Sequence, residues 1–135
     1  MEIKVLILGD GVGGLVTANL LAERARHQGV RLRVQIIGDS PMHTYQPGLL
    51  FIPFQKKGYR TLDDIQKETA RFIMPGVEYL AHRVIAIDTV SRSVKTEQGL
   101  FRFDWLVLAL GSRTLVDEIE GLREHWGTRV HGFYT

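Results

Sequence analysis

Ile3-Lys4-Val5-Leu6-Ile7-Leu8-Gly9-Asp10-Gly11-Val12-Gly13-Gly14 is the stretch from which the rest of the chain is read. The aliphatic run Ile3–Leu8 is short and closed by glycine, which suits a strand buried on both faces. Gly9, Gly11 and Gly14 then fall at G-x-G-x-x-G spacing, and a helical pattern begins. In a dinucleotide site each glycine has a separate task. Gly9 makes the tight turn, Gly11 admits a pyrophosphate to the backbone, and Gly14 lets helix and strand pack closely. The free N–H groups and positive dipole end of the helix then face the phosphates. The spacing alone is a weak signal. The strand before it and the helix after it favour nucleotide binding over a glycine-rich junction that binds nothing.

The bulk composition fits this reading. The chain has 135 residues, 44% hydrophobic and 24% charged, enough for one soluble domain with a core. Its formal charge is only +2, so the basic isoelectric point of 9.1 does not by itself point to nucleic acid. The basic residues, such as Arg24, Arg31, Lys56 and Arg60, are scattered. Apolar runs are of strand length, well short of the roughly 20 residues of a membrane span. The start MEIKVLILG lacks the charged region and cleavage site of a secretory leader, so a cytoplasmic product is expected. There is no cysteine, which excludes disulfides and thiolate metal sites within these residues. No catalytic residue and no metal-ligand set is assigned.

Outward from the glycine turn, Leu15–His27 reads as a helix whose Leu15, Ala18, Ala22 and Ala25 form a narrow small-residue face. Arg24, Arg26 and His27 suit its last turn, and Gly29 is its stop. Val30–Ile37 alternates as the second strand of a β-α-β unit, with Arg31, Arg33 and Gln35 on a wetter face. At its end, where a ribose-binding acid is expected, stand Gly38-Asp39-Ser40-Pro41. Two readings stay open there: Asp39 or backbone amides meet the ribose, or the tetrapeptide is an ordinary turn. Pro41–Tyr59 is a proline-punctuated loop carrying Leu49–Phe54. It either covers a flat ring or an apolar substrate, or plugs the core beneath it. His43 and Tyr45 are individually uninformative.

Thr61 looks like an N-cap with acids after it, predicting a helix over Leu62–Phe72. Val77–Leu80, Arg83–Val90, Ser93–Thr96 and Leu100–Phe103 read as strands, the last three forming a small meander with a turn at Glu97-Gln98-Gly99. Trp105–Leu110 is an unbroken apolar run, which predicts a central strand covered on both faces. Small residues after it let a dinucleotide pass close to the backbone. Leu122–Trp126 suggests one helical turn and Arg129–Tyr134 an extended piece. The fold class expected is α/β, a Rossmann-like FAD/NAD(P)-binding fold with a parallel sheet and a small β-meander.

The order of parts resembles the first half of the FAD domain in two-dinucleotide-domain flavoproteins of the pyridine nucleotide-disulfide oxidoreductase superfamily. More narrowly it is similar to the sulfide:quinone oxidoreductases, kin to flavocytochrome c sulfide dehydrogenase and the type II NADH dehydrogenases. The carriers are Val5–Leu15 (VLILGDGVGGL), Tyr45–Phe51 (YQPGLLF), Val84–Val94 (VIAIDTVSRSV), Phe103–Arg113 (FDWLVLALGSR) and Val130–Thr135 (VHGFYT). The first and fourth belong to the wider superfamily, and the second and fifth to the sulfide:quinone branch.

The resemblance implies FAD as cofactor, with sulfide and a quinone as the partners of the whole enzyme. It implies that Gly9, Gly11, Val12, Gly13 and Gly14 hold the pyrophosphate, and that Gly38, Asp39 and Ser40 lie near the adenosine ribose. Gln46 and Pro47 would lie on the flavin side, and Val84 would offer its backbone to the adenine. Ala109, Leu110 and Gly111 would pass under the dinucleotide, with Arg113 nearby. The usual A-T-G at the strand end is Ala109-Leu110-Gly111 here. Many members carry a redox cysteine beside the final threonine, where this chain has Tyr134-Thr135, so such cysteines are expected beyond residue 135. Residues 1–135 would then be an incomplete N-terminal FAD-binding segment, inactive alone, of an enzyme in the cytoplasm or peripheral on the inner membrane. The alternatives are a piece of a type II NADH:quinone dehydrogenase and a nucleotide-binding module without chemistry.

Overall fold

The computed structural model describes residues 2–132, which gather into two compact units. The first holds the described residues up to His43 together with Lys67–Gly111. Its frame is β1 (Ile3–Leu8), α1 (Val12–Gln28), β2 (Leu32–Gly38), β5 (Val77–Ala81) and β9 (Trp105–Leu108), with the meander strands β6 (Val84–Asp88), β7 (Ser93–Thr96) and β8 (Gly99–Arg102). Two three-residue strands, β3 (Met42–Thr44) and β4 (Gln66–Glu68), complete the numbering.

The main sheet is parallel, in the order β5-β2-β1-β9. Alternation along β1 covers both of its faces. Val5 and Ile7 pack with Val34 and Ile36 of β2 against Leu15 and Ala18 of α1. Leu6 and Leu8 turn the other way and pack with Ile37 against Val94 and Phe103 of the meander and its exit. Burying each of these aliphatic side chains contributes roughly 1.5–3 kcal/mol. The expected α/β fold with its antiparallel β6-β7-β8 meander is therefore present.

Helix α1 starts earlier than its apolar pattern, at Val12, because Gly13 and Gly14 enter the first turn. It ends as expected at Gly29, in the left-handed region at φ 66°, whose N–H returns to the Ala25 and Arg26 carbonyls. Asn19, half-way along, clamps the approach to β5. Its amide donates to the Phe72 carbonyl at 2.7 Å, and its oxygen accepts from the Met74 N–H at 3.0 Å. Arg31, just before β2, and Arg33 within it are exposed as expected, but Gln35 is buried. Its amide is satisfied by Glu78 on the neighbouring strand at 2.9 Å, so burial costs it no hydrogen bond.

Two expectations are overturned. The segment 62–72 is no helix: it runs as a 3-10 turn (Leu62–Ile65), the extended β4 and a second 3-10 turn (Thr69–Phe72). Its backbone groups are claimed from outside, the Ile65 carbonyl by the Tyr45 N–H and the Thr69 N–H by the Pro41 carbonyl, each at 2.8 Å. Those bonds replace the i→i−4 ladder. The start at Thr61 does hold, since the Asp64 carboxylate accepts from the Arg60 and Thr61 N–H groups at 2.8 and 2.9 Å. Those bonds hold the Asp64 carboxyl below its ordinary value.

Strand β9 is the second correction. Among the described residues it pairs only with β1, so it ends the sheet instead of lying at its centre. Trp105 is 68% exposed, and Leu108 and Leu110 are exposed as well. What locks its start is polar: Asp104 accepts from the Lys4 N–H at 2.8 Å while its own N–H donates to the Lys4 carbonyl.

The second unit holds Thr44–Gln66 and the described residues from Ser112 onward. Gln46 and Pro47 open a 3-10 turn (Gln46–Leu50) whose Gly48 is buried against Ile65. Phe51 and Tyr59 stack loosely at 6.2 Å, while Leu50 and Phe54 are exposed. The helical turn expected near Leu122 is α2 (Leu122–His125). Val130 bridges to Trp126, and the end of the extended piece expected to reach Tyr134 lies outside the described residues.

The glycines of the turn separate two kinds of demand. A Cβ on Gly14 would stand 1.8 Å from the Gly9 carbonyl oxygen, whereas one on Gly13 meets nothing within 4 Å. Gly14→Ala should therefore lower folding stability by about 3 kcal/mol, at the upper end of overpacking costs. Gly13→Ala should raise it by roughly 0.5 kcal/mol through helix propensity. Urea midpoints of the two variants check this, and equal midpoints would refute the close packing at Gly14.

Candidate functional site

The carboxyl ends of β1, β2 and β9 converge on the glycine turn. Leu8 pairs with Ile37 on one side and Leu108 on the other. The Gly9 N–H donates to the Ile37 carbonyl, and the Ala109 N–H to the Leu8 carbonyl, both at 2.8 Å. From β1 the chain crosses by α1 to β2, while β9 returns to the opposite side of β1, which makes this the switch point of the sheet.

Gly9 is shaped by that junction. Its φ is +103°, and a Cβ would stand 2.1 Å from the Ala109 carbonyl oxygen. Gly9 and Gly14 are thus required by the protein's own packing, as the spacing predicts. Gly11 and Gly13 are different. Neither has a positive φ, and a Cβ on either meets nothing within 4 Å. Both are exposed at the start of α1, where Gly11 is the N-cap and makes no side-chain cap. The first turn holds no acidic residue, so nothing in it competes for an anion at the dipole's positive end. Val12, between them, has its side chain in solvent.

At the end of β2, Gly38 is buried, Asp39 exposed and Ser40 half-buried. The polar centre here is one that the sequence reading missed. The Asp10 carboxylate leans over Gly38, with its Cγ 2.2 Å from where a Gly38 Cβ would stand. The Tyr79 hydroxyl donates to Asp10 Oδ2 at 2.9 Å and also lies in hydrogen-bond contact with the Ser40 carbonyl. Its single proton serves one of these acceptors at a time. His43 touches the same turn through Nδ1 and the Asp10 carbonyl oxygen at 3.2 Å. The signal that could have found this cluster was glycine where an acid is expected, together with an acid inside the glycine turn.

Ala109, Leu110 and Gly111 follow β9, with Gly111 at φ +73° and Leu110 exposed. Val84 opens β6 opposite Thr96, beside a register shift between Val84 and Ala86. Gln46, Pro47 and Arg113 belong to the second unit, where the Arg113 charge faces Asp117. The structure thus groups the residues of the turn, the β2 end and the β9 end.

A family model for pyridine nucleotide-disulphide oxidoreductases matches residues 3–133. The chain belongs to that family. Its members are FAD-dependent oxidoreductases. The sulfide-quinone reductase of Aquifex aeolicus is 30% identical over 127 residues, covering 93% of this chain and 28% of that protein. The mitochondrial sulfide:quinone oxidoreductase of Dictyostelium discoideum is 28% identical over 92% of this chain and 26% of its own length. A type II NADH:quinone oxidoreductase of Staphylococcus aureus is 26% identical over 90% of this chain and 29% of its length. The chain therefore spans about a quarter of the length of the curated relatives it matches. The crystal structure of the Aquifex sulfide:quinone oxidoreductase superposes with a TM-score of 0.67 at 26% identity, over 84% of this chain and 25% of that one. NDH2 of Plasmodium falciparum shares the fold, with a TM-score of 0.67 at 18% identity.

The Tyr79 contact has a consequence in alkali. Burial first, and then the Asp10 carboxylate, push its phenol from 10.0 up to about 12. The folded state thus keeps a proton that the unfolded chain loses at lower pH. The stabilisation is whole below pH 10 and drains away as pH rises toward 12. In a phenolate absorbance titration, the wild type minus Tyr79→Phe difference should have its midpoint near pH 12. A midpoint near 10 would show that Tyr79 is not held against Asp10.

Proposed function

We propose that this chain binds the adenosine and pyrophosphate of FAD, as the N-terminal FAD-binding segment, residues 1–135, of a sulfide:quinone reductase-like enzyme. The observation that carries the reading is the pair Gly11 and Gly13: glycines that the protein's own packing does not require, at an uncapped helix start. A pyrophosphate approaching the backbone supplies the missing reason, since any side chain there would fill the cradle. The N–H groups of the first turn would hold its oxygens. Gly38, Asp39 and Ser40 would border the ribose, Val84 the adenine, and Ala109, Leu110 and Gly111 the underside of the dinucleotide. Gln46 and Pro47 would lie toward the flavin, with Arg113 nearby.

When bound, the flavin supplies two-electron redox chemistry; the chain's own part is to bind and orient it. The substrates proposed for the whole enzyme, sulfide as donor and quinone as acceptor, rest on the two sulfide:quinone relatives and the 0.67 superposition. This chain contains no cysteine, so a thiol relay to the flavin would come from residues outside it, and the chain alone would not turn over. No helix among the described residues is long and apolar enough to cross a membrane, and attachment at the inner-membrane surface would be peripheral. A second reading, a type II NADH:quinone dehydrogenase, is favoured by the Staphylococcus aureus relative, with NADH in place of sulfide.

Titrating the full chain with FAD and following flavin fluorescence tests the half-site. Saturable binding is expected. Gly11→Val should weaken it at least about a hundredfold by placing a branched side chain in the phosphate path, while the urea midpoint stays within about 0.5 kcal/mol of wild type. Equal FAD affinity in wild type and variant, or no binding by a folded wild type, would overturn the reading.

A further inference from the structure

In a β-α-β dinucleotide site the acid that receives the ribose hydroxyl is expected at the end of the second strand. This chain has Gly38 there, and Gly38 is buried. The space its side chain would occupy is filled by another residue: Asp10 Cγ and Oδ2 each lie 2.2 Å from the ideal Gly38 Cβ position, and Oδ1 lies at 2.7 Å. A carboxylate therefore does stand at the end of β2, but it is borne by the glycine turn. A side chain at 38 and this conformation of Asp10 are mutually exclusive.

The placement of Asp10 is fixed from three sides. The Tyr79 hydroxyl, whose one proton is shared between Oδ2 at 2.9 Å and the Ser40 carbonyl, holds the carboxylate from one side, His43 Nδ1 sits 3.2 Å from the Asp10 carbonyl oxygen, and Gly38 leaves the room. Oδ1 accepts no hydrogen bond among the described residues and remains an open acceptor on a half-buried group. Asp39, the neighbour in sequence, is exposed, and its carboxylate makes no hydrogen bond among the described residues. An anchored carboxylate with one free oxygen is the better partner for a hydroxyl, because its orientation is fixed before the ligand arrives.

We propose that Asp10, and not Asp39, is the acid that accepts the hydrogen bond of the adenosine ribose, the function of the second-strand acid having moved into the glycine turn. This rests on the FAD reading above. It makes Asp10 a specificity residue: it favours a free ribose diol and repels a phosphate on it.

Calorimetric titration of the full chain with ADP and with 2′-deoxy-ADP separates the possibilities. Wild type should bind ADP about tenfold or more tightly than the deoxy analogue, the worth of one hydrogen bond to a charged group. Asp10→Ala should lose that preference, with 2′-deoxy-ADP affinity unchanged within about twofold. Asp39→Ala should keep it. The exchange variant Asp10→Gly with Gly38→Glu, which returns the acid to the second strand, should recover it and guards against a merely misfolded single variant. Loss of the preference in Asp39→Ala but not in Asp10→Ala would overturn the assignment while leaving FAD binding intact. A folded wild type that binds neither ADP nor FAD would overturn the proposed function, and the assignment with it.

Discussion

Everything at the head of this sheet depends on backbone meeting backbone without side chains between. The Gly9 carbonyl sits where a Gly14 Cβ would be, and the Ala109 carbonyl where a Gly9 Cβ would be. Three elements, β1, α1 and β9, are thereby brought closer than any L side chain allows. The closeness has two results. It seats α1 low enough for Leu15 and Ala18 to reach Val5, Ile7, Val34 and Ile36, closing one half of the core. It also points the helix start at the open end of the sheet, with its N–H groups unclaimed by any side-chain cap. Close packing and an uncapped helix start are one geometric fact.

Seen this way, the four glycines of the turn are not equivalent. Gly9 and Gly14 answer to the protein's own packing, while a Cβ on Gly11 or Gly13 would meet nothing within 4 Å. The motif's spacing conceals this division, since all four look alike in sequence. It is the contact environment that sorts them, and the sorting turns a weak motif into an argument about a ligand.

Legibility followed the range of the forces involved. β1, the start and stop of α1, and the meander are set by alternation, glycine conformations and short turns, all of which are local. The segment 62–72 has local helical credentials, including Thr61 and its acids, yet its carbonyl at Ile65 and N–H at Thr69 are taken by Tyr45 and Pro41. No window of sequence contains those partners. Trp105–Leu110 misled in another way. An apolar run reports composition suited to burial, but not how many neighbours a strand has, and β9 has one among the described residues. Gln35 shows the reverse: a polar residue on an apparently wet face is buried because Glu78, on a strand 43 positions away in sequence, satisfies it.

The site was legible in the same proportion. The glycine turn and the β9 end meet because β9 pairs with β1 and the Ala109 N–H donates to the Leu8 carbonyl, a pairing that the local pattern of neither segment states. Asp10 was passed over because position x of G-x-G carries no demand of its own, and Tyr79 lies 69 residues from it. Their meeting is decided by register: Tyr79 pairs with Ile36, which sets it across β2 from β1 and two residues short of Gly38. From there the phenol reaches over the vacant Gly38 position to Asp10. A larger residue at 38 would push the two apart, so the glycine that looks like a lost acid is the condition for the acid that is present.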